Sequence, residues 1–89
     1  MAIRRRVVVF GRVQGVGFRI AVVRAAKARG IAGWVRNRAD GTVEAVFEGE
    51  PDAVESLVRF SGEGPKGAAV ARAAATEEEP EGLSSFDVR

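Results

Sequence analysis

The chain has 89 residues, enough for one domain with a hydrophobic core of its own. With 46% apolar and 29% charged residues it has the composition of an ordinary globular chain, and it contains neither cysteine nor histidine. Those two absences exclude disulfides, thiolate and imidazole chemistry, and the usual zinc and copper sites. Because the sequence shows no signal peptide and no apolar stretch of membrane-spanning length, we expect a cytoplasmic protein.

Positive and negative charges are separated along the chain. Residues 1–45 carry ten Lys/Arg and two Asp/Glu, whereas residues 46–89 carry four and ten, so a net charge of +2 conceals halves of +8 and −6. This asymmetry indicates either an anionic partner for the first half or two oppositely charged surfaces that favour solubility.

The first predicted elements are a strand and a helix. The apolar, β-branched run at 7–10 favours a strand over 3–10. A helix is predicted over 18–29, because apolar residues recur at helical spacing and Gly30 stands where glycine commonly ends a helix. Its expected apolar face consists of Phe18, Val22, Ala25 and Ala26.

A hairpin and a second helix follow. Strands are predicted over 33–37 and 42–48, joined by a turn at Asp40-Gly41. Pro51 is typical of the first position of a helix. The inward face of this helix is expected to comprise Val54, Leu57 and Val58.

The last third of the chain gives weaker signals. Glycines and a proline predict a loop over 61–67, and the alanine-rich segment 67–76 alternates weakly, as a fourth strand would. We interpret the acidic segment 77–82 as a solvated surface, because it has no paired basic segment. A short edge strand is predicted over 86–88. The large aromatic residues interpreted as core or half-buried are Trp34, Phe47 and Phe60.

The order β-α-β-β-α-β predicts an α+β fold with a single domain over 1–89. We expect a ferredoxin-like α/β sandwich, with two helices on one face of a mostly antiparallel sheet. The crossover from the first strand to the second makes both strands run in the same direction, so their carboxyl ends lie at one edge of the sheet. Because a glycine-rich segment follows the first strand and Asn37 ends the second, Asn37 should lie close to that segment.

The glycine-rich segment 11–19, Gly-Arg-Val-Gln-Gly-Val-Gly-Phe-Arg, is typical of an anion-binding turn. Gly15 and Gly17 free the backbone to direct its N–H groups towards one point, and no Ser, Thr, Asp or Asn is present to cap the helix. Arg19 adds charge at the positive end of the helix dipole, which costs about 0.3–1 kcal/mol until an anion binds. The segment does not match a Walker loop, because residues 17–20 supply neither the lysine nor the hydroxyl residue that such a loop requires. It does not match a dinucleotide fingerprint either, because Ile20 stands where the third glycine is required. The alternative is a tight turn with an incidental arginine.

Arg19 and Asn37 are the candidate site residues. The planar guanidinium of Arg19 matches two phosphate oxygens, although a surface salt bridge is the simpler role. Asn37 is a poor strand former, so it either starts the following turn or presents an amide that holds a water; its expected proximity to Arg19 favours the second hypothesis. Three further residues either add positive potential or are simply solvated: Arg12, Arg36 and Arg38.

Two motifs closely resemble the signature of the acylphosphatase family. These are segment 11–19 and the Gly-Trp-Val-Arg-Asn strand over 33–37, followed by Asp40-Gly41 and Val43. The resemblance extends more weakly through Gly49, Gly64-Pro65 and Phe86, and so covers nearly the whole chain. Family members often have aromatic residues after the arginine, where this chain has Ile20 and Ala21, a difference that bears on the acyl group.

The resemblance implies hydrolysis of the carboxyl–phosphate bond of small-molecule acyl phosphates, without metal or cofactor. It implies that Asn37 positions the attacking water, with phosphate or sulfate as site ligands and no nucleic-acid or membrane partner. We expect a monomer. The phosphoryl group would be bound by Arg19 and by the backbone amides of Gln14, Gly15, Val16, Gly17 and Phe18.

Two other hypotheses fit parts of the sequence. RNA-recognition domains share this order of elements, but the first and third strands offer only Phe10 and Phe47, without the Lys/Arg-Gly-Phe motif of those domains. A similar domain acts on carbamoyl phosphate within hydrogenase-maturation proteins, which continue into cysteine-rich zinc modules. Because this chain has no cysteine, we expect a free-standing enzyme.

Overall fold

The computed structural model describes all residues from 1 to 89. The elements are β1 (Ile3–Arg12), α1 (Phe18–Ala28), β2 (Ala32–Asn37), β3 (Val43–Gly49), α2 (Pro51–Glu63), β4 (Ala69–Glu78) and β5 (Phe86–Val88). The strands form one sheet in the order β4-β1-β3-β2-β5. All neighbours are antiparallel except β2 and β5, which run parallel. The two helices pack on one face, so the predicted ferredoxin-like α+β sandwich is confirmed.

A single core of 14 buried residues lies between the sheet and the helices. The predicted faces are confirmed: Phe18, Val22 and Ala26 of α1 are buried, as are Val54 and Leu57 of α2. The β3 side chains that meet them are Val43, Ala45 and Phe47, each worth about 1–3 kcal/mol of apolar burial. Neither helix is long and apolar enough to cross a membrane.

The second helix and the fourth strand differ from the prediction. The helix continues through Glu63 and so includes Ser61, which is buried. The Ser61 hydroxyl donates to the Leu57 carbonyl at 2.8 Å and needs no partner outside the helix. The loop predicted over 61–67 was therefore wrong at its start. The strand runs over Ala69–Glu78, because pairing along the whole of β1 sets its length, and the weak local alternation does not.

The sheet face away from the helices carries an ion-pair network. Arg4 lies directly opposite Glu48 on β3 and Glu78 on β4, and its guanidinium bonds them at 2.7 and 2.8 Å. Arg6 also pairs with Glu78, at 2.6 Å, and with Glu44. The interpretation of the acidic segment as solvated surface was thus wrong for Glu78. The two charged halves of the chain interleave here and do not form two separate surfaces.

Glu48 also anchors the connection between β4 and β5. Its carboxylate accepts the backbone N–H groups of Glu81, Gly82 and Leu83 at 2.9–3.1 Å. This connection brings β5 to the outer edge of β2, where Phe86 stacks on Phe47 with ring centroids 5.9 Å apart. The predicted edge strand is confirmed, and its parallel pairing places its carboxyl end beside that of β2.

Candidate active site

A pocket of about 360 Å³ opens at the sheet edge where β1 and β2 end. Its volume lies in the range of roughly 300–1,000 Å³ that holds organic small molecules. The expectation that Asn37 approaches the glycine-rich segment is confirmed, since both line this pocket. The lining residues are Val13, Gly15, Gly17, Phe18, Arg19, Ile20, Asn37 and Val88.

The glycine loop, residues 13–17, leaves its backbone donors free. Gly15 and Gly17 have φ of 73° and 78°, in the left-handed region that other residues rarely adopt. A Cβ at either position would meet no atom within 4 Å, so the two glycines are needed for conformation and the space beside the loop is open. The N–H groups of residues 14–17 donate to no backbone carbonyl, which leaves them available to an anion.

Helix α1 begins at the pocket without a side-chain cap. Gly17 is its N-cap residue, no side chain bonds to its first turn, and that turn contains no acidic residue. The first helical bond joins the Ala21 N–H to the Gly17 carbonyl at 3.1 Å, so the three preceding helical N–H groups have no helical partner. Free donors and the helix dipole together give this end of the pocket a positive potential.

The guanidinium of Arg19 makes no hydrogen bond or ion pair with the rest of the protein, although the residue is half-buried. The arginines that have acidic partners are Arg4, Arg5, Arg6, Arg36 and Arg38. Arg19 thus forms no salt bridge, and its guanidinium is free to meet a ligand in the pocket that it lines.

The other candidate arginines lie outside the pocket lining. Arg36 bonds Glu44 at 2.7 Å and lies over the Trp34 ring, which places it in the ion-pair network of the opposite sheet face. Arg38 approaches Asp40 at 3.5 Å, and Arg12 is exposed at the end of β1.

Trp34 is buried as expected, but it lies outside the hydrophobic core. Arginine side chains cover its ring on the sheet face away from the helices.

Asn37 presents a buried amide oxygen that has no hydrogen-bond partner. An unpartnered polar atom of this kind costs about 1–3 kcal/mol, a cost that a bound water or ligand in the pocket would remove. The turn after β2 does not need Asn37, because the Asp40 carboxylate accepts the hydroxyl of Thr42 at 2.6 Å and its N–H at 3.0 Å. These two bonds lower the pKa of the Asp40 carboxyl. The turn-starting role for the Asn37 side chain is thus not the observed one.

The side chain of Gln14 links the glycine loop to the turn after Asn37. Its amide nitrogen donates to the carbonyls of Arg38 at 2.8 Å and Thr42 at 3.0 Å. Neither Gln14 nor Val16 lines the pocket, so of the five residues predicted to bind the phosphoryl group through the backbone the structure brings three to the lining: Gly15, Gly17 and Phe18. The sequence drew attention only to the Gln14 backbone, since nothing local indicates which distant carbonyls its side chain reaches.

Two apolar residues line the pocket that were not among the predicted site residues. Ile20 follows Arg19 in the first turn of α1, and Val88 lies on β5 opposite Val35 of β2. Periodicity predicted the short strand but not its partner, and it is the partner that brings Val88 to the pocket.

The fold and the pocket together define a small α+β domain whose polar groups are arranged to receive an anion. The acylphosphatase family model matches residues 5–88. The chain belongs to the acylphosphatase family, as its two motifs led us to expect.

The similarity to known proteins extends over nearly the whole chain. A curated acylphosphatase from Thermococcus kodakarensis is 51% identical over 97% of this chain and 94% of its own. The crystal structure of acylphosphatase from Bacillus subtilis superposes with a TM-score of 0.93 at 41% identity, covering 100% of this chain and 99% of the other. Full-length HypF, in a phosphate- and nucleotide-bound crystal structure, is similar with a TM-score of 0.92 at 29% identity, over 100% of this chain but 12% of its own.

Proposed function

We propose that this chain hydrolyses the carboxyl–phosphate bond of acyl phosphates, giving a carboxylate and inorganic phosphate. Membership of the acylphosphatase family and the names of its relatives support this function. The observation that carries it is the meeting of two unpartnered groups in one pocket, the guanidinium of Arg19 and the amide oxygen of Asn37.

In this mechanism, Arg19 and the free N–H groups of residues 14–18 bind the phosphoryl oxygens. Negative charge on those oxygens is met by fixed donors and by the helix N-terminus, so little reorganisation is needed as the P–O bond breaks. A fork of donors on Arg19 can hold two oxygens at once, which fixes the phosphoryl group in one orientation.

Asn37 accepts a hydrogen bond from the attacking water and holds it in line with the breaking bond. The water oxygen bonds to phosphorus while the bond to the carboxylate oxygen breaks. A carboxylate is a good leaving group, so no acid is needed to protonate it. The lining residues include no carboxylate or imidazole to act as a base, and we propose that a phosphoryl oxygen takes the proton of the water.

The sheet face opposite the helices supports a small-molecule substrate over a nucleic acid. RNA-recognition domains stack bases on aromatic residues of their central strands. Here Phe47 is instead buried against Phe86. On the other face of β3, Glu44 and Glu48 are buried in ion pairs with arginines, so this strand offers no aromatic ring on which a base could stack. We further propose a monomer, because the structure has no broad exposed apolar patch; its exposed large apolar side chains are Met1, Ile20 and Val88.

Release of phosphate from benzoyl phosphate tests the proposal. The folded wild-type protein is assayed with and without a chelator, beside Arg19→Ala. We expect release that the chelator does not change and that the substitution nearly abolishes. No release by the folded wild-type protein would contradict the function, and loss of release with chelator would contradict the mechanism.

A further inference from the structure

Two of the three exposed large apolar side chains in this protein lie in one place. Ile20 is 59% exposed and Val88 is 52% exposed, and both line the pocket that contains Arg19 and Asn37. The third is Met1, at the chain terminus. Isolated apolar residues on a surface need no explanation, but two that share a polar pocket leave an apolar wall for a ligand to cover.

The fold brings these two residues together from opposite ends of the sequence. Ile20 is held in the first turn of α1, immediately after the arginine. Val88 is held by parallel pairing of β5 with β2, opposite Val35, and the N–H of the following residue, Arg89, donates to the Val35 carbonyl at 2.9 Å. Each side chain is therefore placed by regular backbone hydrogen bonding and not by a loose loop.

The other apolar residues of the pocket are already covered. Val13 and Phe18 are 1% and 2% exposed, so they offer almost no surface to a ligand. The polar side of the pocket consists of the glycine loop, Arg19 and Asn37. Polar groups for a phosphoryl group and an uncovered apolar surface thus lie side by side in a space of about 360 Å³, larger than the phosphoryl group requires.

We propose that Ile20 and Val88 form an acyl-group subsite, which selects acyl phosphates whose acyl group is an aromatic ring or an aliphatic chain. The proposal rests on the hydrolysis proposed above and names the substrate class within it. The phosphoryl group of such a molecule contacts the polar side of the pocket, and its acyl group contacts the apolar wall. A small or charged acyl group gains little, because it either does not reach the two side chains or brings a hydrated charge against them.

Substrates that differ only in the acyl group provide the first test, with the wild-type protein alone. KM is measured for acetyl, butyryl and hexanoyl phosphate. Each CH₂ that the subsite covers should lower KM by about two- to fourfold, the upper value being that of full burial. A KM that does not change along the series overturns the subsite but leaves the hydrolytic function standing. No phosphate release from any of the three overturns both.

Substitutions then assign the effect to the two residues. Ile20→Ala with Val88→Ala should raise KM for benzoyl phosphate about 5- to 20-fold and lower its kcat/KM relative to acetyl phosphate by the same factor. Inhibition by inorganic phosphate, which does not reach the apolar wall, should change less than twofold. The control is Val8→Ala, on the sheet face away from the helices and outside the pocket lining, which should leave the substrate ratio unchanged.

The phosphate inhibition separates recognition from structural damage. If the double variant binds both substrates and inorganic phosphate more weakly to the same degree, the two side chains support the loop and the proposed acyl-group subsite is wrong. An unchanged ratio of the two substrates likewise overturns it. Because both residues are more than half exposed, we expect the double variant to keep the wild-type melting temperature within a few degrees.

Discussion

The side-chain amide of Gln14 donates to the backbone carbonyl of Arg38 at 2.8 Å, and so ties the glycine loop to the chain that leaves Asn37. The same amide also donates to the Thr42 carbonyl at 3.0 Å, at the other end of the turn. Arg38 and Thr42 are themselves joined through a backbone bond of 2.8 Å. One half-buried amide thus links the glycine loop to the turn that follows the residue proposed to hold the water.

Removing the Gln14 amide should lower the rate of hydrolysis without preventing the protein from folding. Gln14→Met keeps the length of the side chain but not its donors, and we expect kcat for benzoyl phosphate to fall about 10- to 100-fold because the water and the phosphoryl group lose their alignment. Inhibition by inorganic phosphate should weaken much less, since Arg19 remains. An unchanged kcat in the folded variant would show that the loop keeps its position without the link.

Replacing Arg19 tests the proposed phosphoryl contact. Arg19→Ala should lower kcat/KM by about 10²–10³, the range for loss of a main charge stabiliser, and Arg19→Lys should restore only part of it because the fork of donors is lost. Arg24→Ala is the matched control: it removes the same charge from the exposed side of the same helix. Near-normal turnover by Arg19→Ala, or equal losses in both alanine variants, would contradict a direct contact.

Asn37→Ala should affect activity and stability in different ways. We expect kcat to fall about 10²-fold or more with a smaller change in phosphate inhibition, because the residue acts on the water. The melting temperature should stay equal or rise, since the substitution removes a buried oxygen that has no partner. If phosphate inhibition weakens in step with kcat, Asn37 binds the phosphoryl group instead. A large loss of stability would show that its side chain supports the fold.

Local chemistry explains why much of this site can be predicted from the sequence. The conformation of the glycine loop and the bare start of α1 depend on residues that are neighbours in the chain, such as Gly15 and Gly17. Proximity of Asn37 follows from the direction of two strands and needs no side-chain detail. The topology of a single crossover is therefore sufficient to bring the two proposed functional groups together.

Long-range register explains what the sequence does not predict. Glu78 meets Arg4 across 74 residues, and only the pairing of β1 with β4 brings them opposite each other. Val88 reaches the pocket because β5 pairs with β2, a choice that a three-residue strand does not encode by its own pattern. The side-chain partners of Gln14 are backbone carbonyls, which have no sequence signature at all. Each of these depends on the assembled sheet.

The ion-pair network should make stability fall in acid. Hydrogen bonds from Arg6 and then Arg4 lower the pKa of Glu78. Burial alone would raise the pKa of Glu44 and of Glu48, but hydrogen bonds outweigh burial and lower both, from Arg36 and Arg6 to the first and from the Glu81 N–H and Arg4 to the second.

A carboxylate whose pKa is lower in the folded state stabilises that state above its unfolded pKa, about 4.3 for glutamate, and loses the contribution as pH falls through the folded pKa. The free energy of unfolding, measured by urea denaturation, should therefore be constant from pH 7 to about 5.5 and decrease steadily below that. Glu78→Gln should flatten this decrease, whereas Glu79→Gln, an exposed neighbour without an ion pair, should leave it as in the wild type. Equal slopes in the two variants would show that Glu78 titrates with the same pKa in the folded and unfolded chains.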